Sequence, residues 1–400
     1  MSLGHPVADA THYPAEISIP GIFNTHTHPR DDDEDKDGRT EMLVPRFAKV
    51  FETIIGMGNT ATALTTAALA GAKKKRWQSF VPEGAPLQIL VAPLLTEKTD
   101  PNDLIAGFDQ PEERRAVDAV KVFIKAASNS NGRDVDDVSK IIPFVRAMND
   151  MGRRVYSQQH FMLMGHFERK YYRSGRRVNF LMREPESIER DLMQIYDAVP
   201  EAWVNICHVS RASTLEIIRY LRKKGYNIFG EIAPHYTQYC IDDLFEDGKG
   251  GTALNVHPFC LPIFGLSSDQ QAVEDAMVSG EPFWHFGADD ACHVDDTARA
   301  TGVKINKDGI VLGGQTQIPQ ATISYVVERF AERGRLQHLS GFLSENARRA
   351  FELPPAQTVL KLTREDWEVP MTIGRDSPHW GKIQARVAMG GETRKYRVAA

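Results

Sequence analysis

The sequence predicts an α/β fold in which parallel strands alternate with helices and close into a barrel. Three observations carry this. Eight short apolar runs recur along the chain, amphipathic stretches of helical period lie between them, and 400 residues suit one elaborated (β/α)8 barrel. Two unrelated domains are the competing arrangement.

The strand candidates fall at 16–22, 53–57, 87–93, 119–124, 155–159, 204–208, 228–232 and 284–288. Helical periodicity marks 137–151, 188–198, 213–225 and 319–333. The last of these opens on Pro319, which suits a first helical turn, and Gly334 provides a stop. Residues 1–15 read as an N-terminal extension, 16–365 as the barrel and 366–400 as a C-terminal extension. That extension is polar and rich in Gly and Arg, as expected of a segment packed on the barrel or partly ordered.

Composition narrows the functional classes. Hydrophobic residues make up 42% and charged residues 25%, an ordinary globular balance. With 48 basic and 53 acidic side chains the net charge is -5, which favours neither nucleic acid nor a membrane surface as partner. The run Lys73-Lys74-Lys75-Arg76 reads as a solvated helix end, and the acidic run 31–37 as a solvated loop in preference to the rim of a site. Cys207, Cys240, Cys260 and Cys292 form no CxxC pair and fit a reducing cytoplasm. The first residues lack the apolar core of a secretory signal, and no stretch is apolar enough to span a bilayer.

The strongest local signal is His26-Thr27-His28, shortly after the first apolar run. Two histidines at i and i+2 on an extended chain project to one side and can grip one metal ion. Alone the pair is weak evidence, but Pro29-Arg30-Asp31 follows at once. Lys121 stands inside the apolar run Ala119–Phe123, where a buried ammonium is costly. It either points outward or pairs with a carboxylate, or it carries CO2 as a carbamate able to bridge two metals. His208 and Asp289 close the runs at 204–208 and 284–288. An HxH, a Lys, a His and an Asp in this order at successive strand ends are much less expected by chance than any one of them.

On these residues the chain resembles the amidohydrolase superfamily, and within it the monofunctional dihydroorotases. HTHPRD at 26–31, Asn59 in GMGNTATALTT, VKVF around Lys121, His208, HPFCLP at 257–262, GADDACH at 287–293 and SENARRAFELP at 344–354 carry the likeness over roughly residues 16 to 355. The resemblance implies a TIM barrel that binds zinc, one ion or two. It implies that His26 and His28 hold the more buried ion with Asp289, and that carbamylated Lys121 bridges to a second ion held by His208. Arg30, Asn59 and His293 match the residues that hold a substrate carboxylate, and an Arg fork fits a carboxylate bidentately. Asp289 is then the catalytic proton carrier. The expected activity is reversible hydrolysis of dihydroorotate to N-carbamoyl-aspartate in pyrimidine biosynthesis, by a cytoplasmic homodimer.

The sequence departs from the family at several points. Where a further metal-binding His is expected, the ungapped position holds Gln158, a poor zinc ligand. His160, two residues on with the same strand parity, is the expected substitute, and His166 the less favoured one. Pro258 has no N–H to offer where the family presents one. The loop 125–131 is short but keeps hydroxyl and amide side chains, and 162–177 reads as an insertion on the surface. His235 and His257 are expected near the site without binding metal, and Met162 and Met164 as packing or loop residues. These departures leave two alternatives open: a hydantoinase- or allantoinase-like hydrolase of another cyclic imide or ureide, and a metal-deficient, inactive relative.

Overall fold

In the computed structural model the described residues are 13–30, 38–124, 133–150, 154–157, 159–167, 185–244, 260, 262–292, 316–378 and 381–399. The strands are β1 (Glu16–Pro20), β2 (Ile22–His28), β3 (Phe51–Met57), β4 (Gln88–Ala92), β5 (Leu94–Leu95), β6 (Val120–Phe123), β7 (Met162–His166), β8 (Trp203–Ile206), β9 (Asn227–Ile232), β10 (Trp284–Phe286), β11 (Asp290–Ala291), β12 (Val359–Glu368), β13 (Thr372–Ser377), β14 (Gly381–Arg386) and β15 (Thr393–Val398).

Two parallel sheets make up the barrel, in the orders β11-β2-β3-β4 and β10-β9-β8-β7-β6-β5. They share two interrupted strands. Pro93 cannot donate to a ladder, so β4 pairs with β3 while β5, one residue on, pairs with β6. Likewise β10 pairs with β9, and β11 pairs with β2 after the turn at Gly287–Asp289. Counting β4/β5 and β10/β11 once each, the expected eight-stranded (β/α)8 barrel closes.

Side-chain parity divides the core in two. Ile54, Ile89, Val91, Val120, Val122, Leu163, Val204 and Ile228 pack outward against the helices. Phe23, Ile55, Met57, Leu90, Ala92, Ala119, Met162, Met164 and Phe229 form a second cluster, with Ala347, Ala350 and Phe351 packed against it. Alternate strand residues face opposite ways, so this second set lines the barrel interior. Thr25, Lys121 and Glu231 share its parity and lie one step further along their strands.

The helices follow their local chemistry. Thr66 and Asp100 cap Ala67–Gln78 and Pro101–Phe108 by accepting from Leu69 N and Asn102 N. Pro319 opens Pro319–Glu332. Among the described residues no helix is long and apolar enough to cross a membrane.

Three expectations need correction. The run 16–22 is not the first barrel strand: β1 lies outside the barrel, antiparallel to β12, and the barrel begins at β2. Gly21 separates the two, in a space where a Cβ would stand 2.0 Å from Glu52 Oε2. The second correction concerns 155–159, where no strand forms. Val155 and Tyr156 are 73% and 60% exposed, and the Asp109 carboxylate accepts the backbone N–H groups of Val155, Tyr156 and Ser157. Third, the fifth barrel strand is β7, inside the stretch read as a surface insertion. Every residue of β7 is buried, because the strand is covered on both faces. At the carboxyl end of the chain β12 and β15 make a sheet with β1, and β13 and β14 form a hairpin. Strand β12 thus runs through the boundary drawn at 365.

Candidate active site

The carboxyl ends of the barrel strands carry a buried polar cluster. His26 and His28 lie on β2, so their side chains share a face, and His26 is fully buried. Lys121, 1% exposed on β6, reaches across so that Nζ stands 2.9 Å from His26 Nε2. His166 ends β7, stacked on Phe123 at 4.6 Å. His208 and Asp289 lie just past β8 and β10.

These groups converge. The His28 Nε2 atom is 3.0 Å from Asp289 Oδ1, and His26 Nε2 and His208 Nε2 are each 3.8 Å from the same carboxylate. The His26 ring centre is 4.1 Å from that of His208 and 6.2 Å from that of His166. Among the described residues three sets of ligand atoms that share His26 each lie within 4.8 Å of one another: His26, His28 and Asp289; His26, His166 and His208; and His26, Cys207 and Glu231. Nitrogen and carboxylate donors in such sets suit zinc.

Backbone conformation aims several of these side chains. Arg30, His208 and Asp289 take positive φ values of 69°, 54° and 52°, uncommon for residues with a Cβ. Each is held: Trp77 Nε1 donates to Arg30 O at 2.8 Å, Asp289 N donates to His26 O at 3.0 Å, and Val209 N donates to Glu231 O at 2.9 Å.

Beneath the cluster lies Glu231, fully buried on β9. Its Oε1 is 2.9 Å from His26 Nδ1 and 2.8 Å from His208 Nδ1. A carboxylate on Nδ1 leaves the Nε2 lone pair of each imidazole facing Asp289, which is how second-layer groups orient metal-binding histidines. Burial would raise the Glu231 carboxyl, but His26 and His208 outweigh it and hold it well below the usual range. Burial would likewise raise Asp289, and His208, His28 and His26 keep it well below the ordinary carboxylate value. Burial also drives His28 down to about 4, so its ring is neutral and able to bind a metal.

Asn24 ties the barrel seam at this point. Its Oδ1 accepts from His26 N at 3.2 Å and Ala288 N at 2.8 Å, and its Nδ2 donates to Asp290 Oδ2 at 2.8 Å. Burial raises Asp290 well above the usual carboxylate value.

Of the residues singled out from the sequence, His26, His28, Lys121, His208 and Asp289 come together. His160 does not, and the expectation that it replaces a missing ligand is corrected. It precedes β7, half-buried, 3.0 Å from Glu352 and stacked on Trp203 at 4.5 Å. His166, at the other end of that strand, faces His26 and His208 instead. Gln158, His257, Pro258 and His293 lie outside the described residues, as do the acidic run 31–37 and the loop 125–131. Arg30 follows β2, and Asn59 follows β3 with a buried Oδ1 that has no hydrogen-bond partner among the described residues. Glu231 and Asn24 had no reading from the sequence. Glu231 carried the available signal, a charge inside the apolar run 228–232.

Comparison with known proteins agrees with this geometry. No family model matches the chain. The dihydroorotase of Marinomonas sp. is 26% identical over 361 residues, covering 90% of this chain and 93% of its own, and that of Halorhodospira halophila is 28% identical over 367 residues, covering 90% and 94%. Among solved structures, dihydroorotase from Saccharomyces cerevisiae in complex with 5-fluoroorotic acid superposes with a TM-score of 0.78, and that from Campylobacter jejuni with 0.76. Both are 20% identical, cover 96% of this chain, and are themselves covered to 99% and 98%. A D-hydantoinase gives 0.66 at 16% identity, with 83% of its chain covered. In sequence the chain is similar to these dihydroorotases, and in fold it is a (β/α)8 barrel like those of the solved structures.

Proposed function

We propose that this chain is a dihydroorotase, a hydrolase that opens the cyclic amide of dihydroorotate to N-carbamoyl-aspartate and closes it again. The observation that carries the reading is the convergence of His26, His28, His166, His208, Lys121 and Asp289 at one barrel mouth, with Glu231 behind two of the histidines. Hydantoinase barrels superpose less closely, at 0.66 against 0.76 to 0.78, so the main reading stands ahead of the hydantoin alternative.

The residues fit zinc. His26, His28 and Asp289 would hold one ion, and His166 and His208 a second. Lys121 would join the two sets as a carbamate: its amine adds to CO2, an N–C bond forms and a proton leaves. That exchanges a buried cation beside histidines for an anion. Bound zinc would supply an easily ionised water and polarise the ring carbonyl. Asp289, ionised in its histidine surround, accepts the proton of the attacking water and passes it to the departing ring nitrogen. By the same resemblance Arg30 takes the substrate carboxylate through its fork, together with Asn59 and with His293, which lies outside the described residues. On the same resemblance the enzyme is a cytoplasmic homodimer.

Metal analysis and turnover test this together. The purified protein should retain one to two zinc ions per chain and hydrolyse dihydroorotate faster than hydantoin or imide rings. A preparation that holds no zinc, manganese or cobalt, or that prefers hydantoin, would refute the reading. Accurate intact mass under native conditions should show one CO2 adduct, absent from Lys121→Ala.

A further inference from the structure

His235 stands at the barrel mouth without a part in the site so far. It follows β9 after the Ala233-Pro234 turn and is 5% exposed. The short helix His235–Gln238 is locked in place. Tyr236 Oη donates to Pro262 O at 2.6 Å, and Thr237 Oγ1 donates to Pro234 O at 2.7 Å and meets Tyr325 Oη at 3.0 Å. The ring leans on Tyr236 at 4.3 Å.

Its two nitrogens differ. Gln317 Nε2 lies 3.1 Å from His235 Nδ1, with Gln317 Oε1 turned to the Thr322 hydroxyl at 3.3 Å, a hydroxyl that also stands 3.1 Å from Ile318 O. An amide NH2 only donates, so Nδ1 must accept and the ring hydrogen sits on Nε2. That Nε2 is buried and has no hydrogen-bond partner among the described residues. A buried N–H left unpaired costs free energy, so such a donor points to a ligand. The charged and titratable groups that act on His235 are Asp289, His208 and Glu231, all of the cluster described above.

We propose that His235 is a substrate-contacting, specificity-determining residue: its Nε2–H donates to an oxygen of the bound cyclic ureide, with Gln317 setting the tautomer. The proposal rests on the dihydroorotase reading. A ring oxygen or a carboxylate oxygen completes the bond, whereas a substrate presenting only an N–H or an apolar edge there leaves the donor buried and unpaired. Discrimination between a cyclic ureide that places an oxygen here and one that places an N–H or an apolar edge here therefore resides partly at this position.

The test compares zinc-loaded wild type with His235→Ala, His235→Gln and Gln317→Glu, measuring kcat, KM for dihydroorotate, bound zinc and thermal midpoint. Removing a buried donor to a charged or strongly polar oxygen should lower kcat/KM by about tenfold to a hundredfold in His235→Ala. Zinc content should not change. His235→Gln, whose side-chain amide nitrogen falls near the lost Nε2, should recover most of the loss. Gln317→Glu places an acceptor on Nδ1 and, at alkaline pH where the ring is neutral, draws the hydrogen from Nε2, so there it should match His235→Ala while the ring itself remains.

Wild-type kcat/KM within twofold in His235→Ala would overturn the proposal, as would loss of zinc there or equal loss in the Ala and Gln variants. Should His235→Ala fail to fold, Gln317→Glu decides, and unchanged kcat/KM in it at alkaline pH is the refuting result. A wild type that binds zinc but turns over no dihydroorotate would sink the parent reading and this proposal with it. Active wild type with an indifferent His235 would sink this proposal alone.

Discussion

Replacing Glu231 by Gln keeps the shape and removes the charge that two histidines share. One oxygen, Oε1, lies within 2.9 Å of both His26 Nδ1 and His208 Nδ1. An amide oxygen in that place still faces both N–H groups, but its NH2 then takes the position of Oε2, 3.1 Å from His26 Nδ1, donor against donor. The loss is one charge-assisted hydrogen bond, about 1.5–3 kcal/mol, with the freed imidazole able to turn or change tautomer. Zinc affinity should fall about 10–100-fold, measured by titration against a competing chelator, and kcat should fall with occupancy. Glu52→Gln serves as control. Glu52 is another buried carboxylate, paired with Arg348 at 2.8 Å and accepting Gln357 N and Thr358 N. It should lose stability without losing zinc affinity. If Glu231→Gln bound zinc within twofold of wild type, the assignment of Glu231 as the anchor of the metal-binding imidazoles would be wrong.

Three further outcomes follow from the geometry. His166→Gln should release zinc or lower its affinity at least tenfold, while His160→Gln, which breaks a half-buried pair with Glu352 and a stack on Trp203, should leave metal content unchanged. Equal zinc loss in both would restore His160 as a ligand. Trp77→Phe removes the bond to Arg30 O and should raise KM for dihydroorotate several-fold with zinc content constant. An unchanged KM would show that Arg30 holds its left-handed backbone without Trp77. Finally, burial pushes His285 down to about 4, from about 6.5 when unfolded. Because the folded value is the lower, the unfolded chain takes up the proton first. Stability is then complete above about 6.5 and falls as pH drops towards about 4, by about 3 kcal/mol for this one ring. Denaturant midpoints of the metal-free protein across that window should show the decline, and His285→Gln should make it shallower, leaving the part due to His28 and His235, which burial also pushes down to about 4; parallel curves would refute the assignment.

How far the sequence alone reaches is visible in Lys121 and β7. Lys121 is legible because an ammonium inside VKVF has no inexpensive place to go, so either its strand or its chemistry must be unusual. The segments 155–159 and 162–166 show the opposite case. Both are short and partly apolar, and short apolar runs do not declare whether a barrel or a loop will use them. Asp109 decides the matter by gathering three backbone N–H groups of 155–157, a contact across 46 to 48 residues that periodicity does not contain. With the strand moved on, His166 takes the mouth of the barrel and His160 the base. Glu231 carries the same signature as Lys121, yet nothing in one-dimensional order says that the two converge on His26. Asn24 gives less still, since a lone Asn in a strand is commonplace and its value lies in bridging the first and last strands.

The left-handed residues bear on why this barrel can hold a site of this kind before a metal arrives. Arg30, His208 and Asp289 sit where strand ends turn over the mouth, each in a conformation that costs of order 1–3 kcal/mol for a residue with a Cβ. The expense is met by bonds that belong to the barrel rather than to the ligand: an indole from the helix Ala67–Gln78, and backbone ladders from β2 and β9. Side chains aimed by backbone turns have few torsions left to order. Histidines clamped at Nδ1 by one carboxylate have fewer still. The histidines, Asp289 and the arginine fork are thus set by closure of the sheet, which separates fold from substrate choice. Groups such as His235, set by Gln317 and not by the histidine cluster, can vary without disturbing that cluster, and selection between one cyclic ureide and another can act there while the proposed hydrolytic centre stays the same.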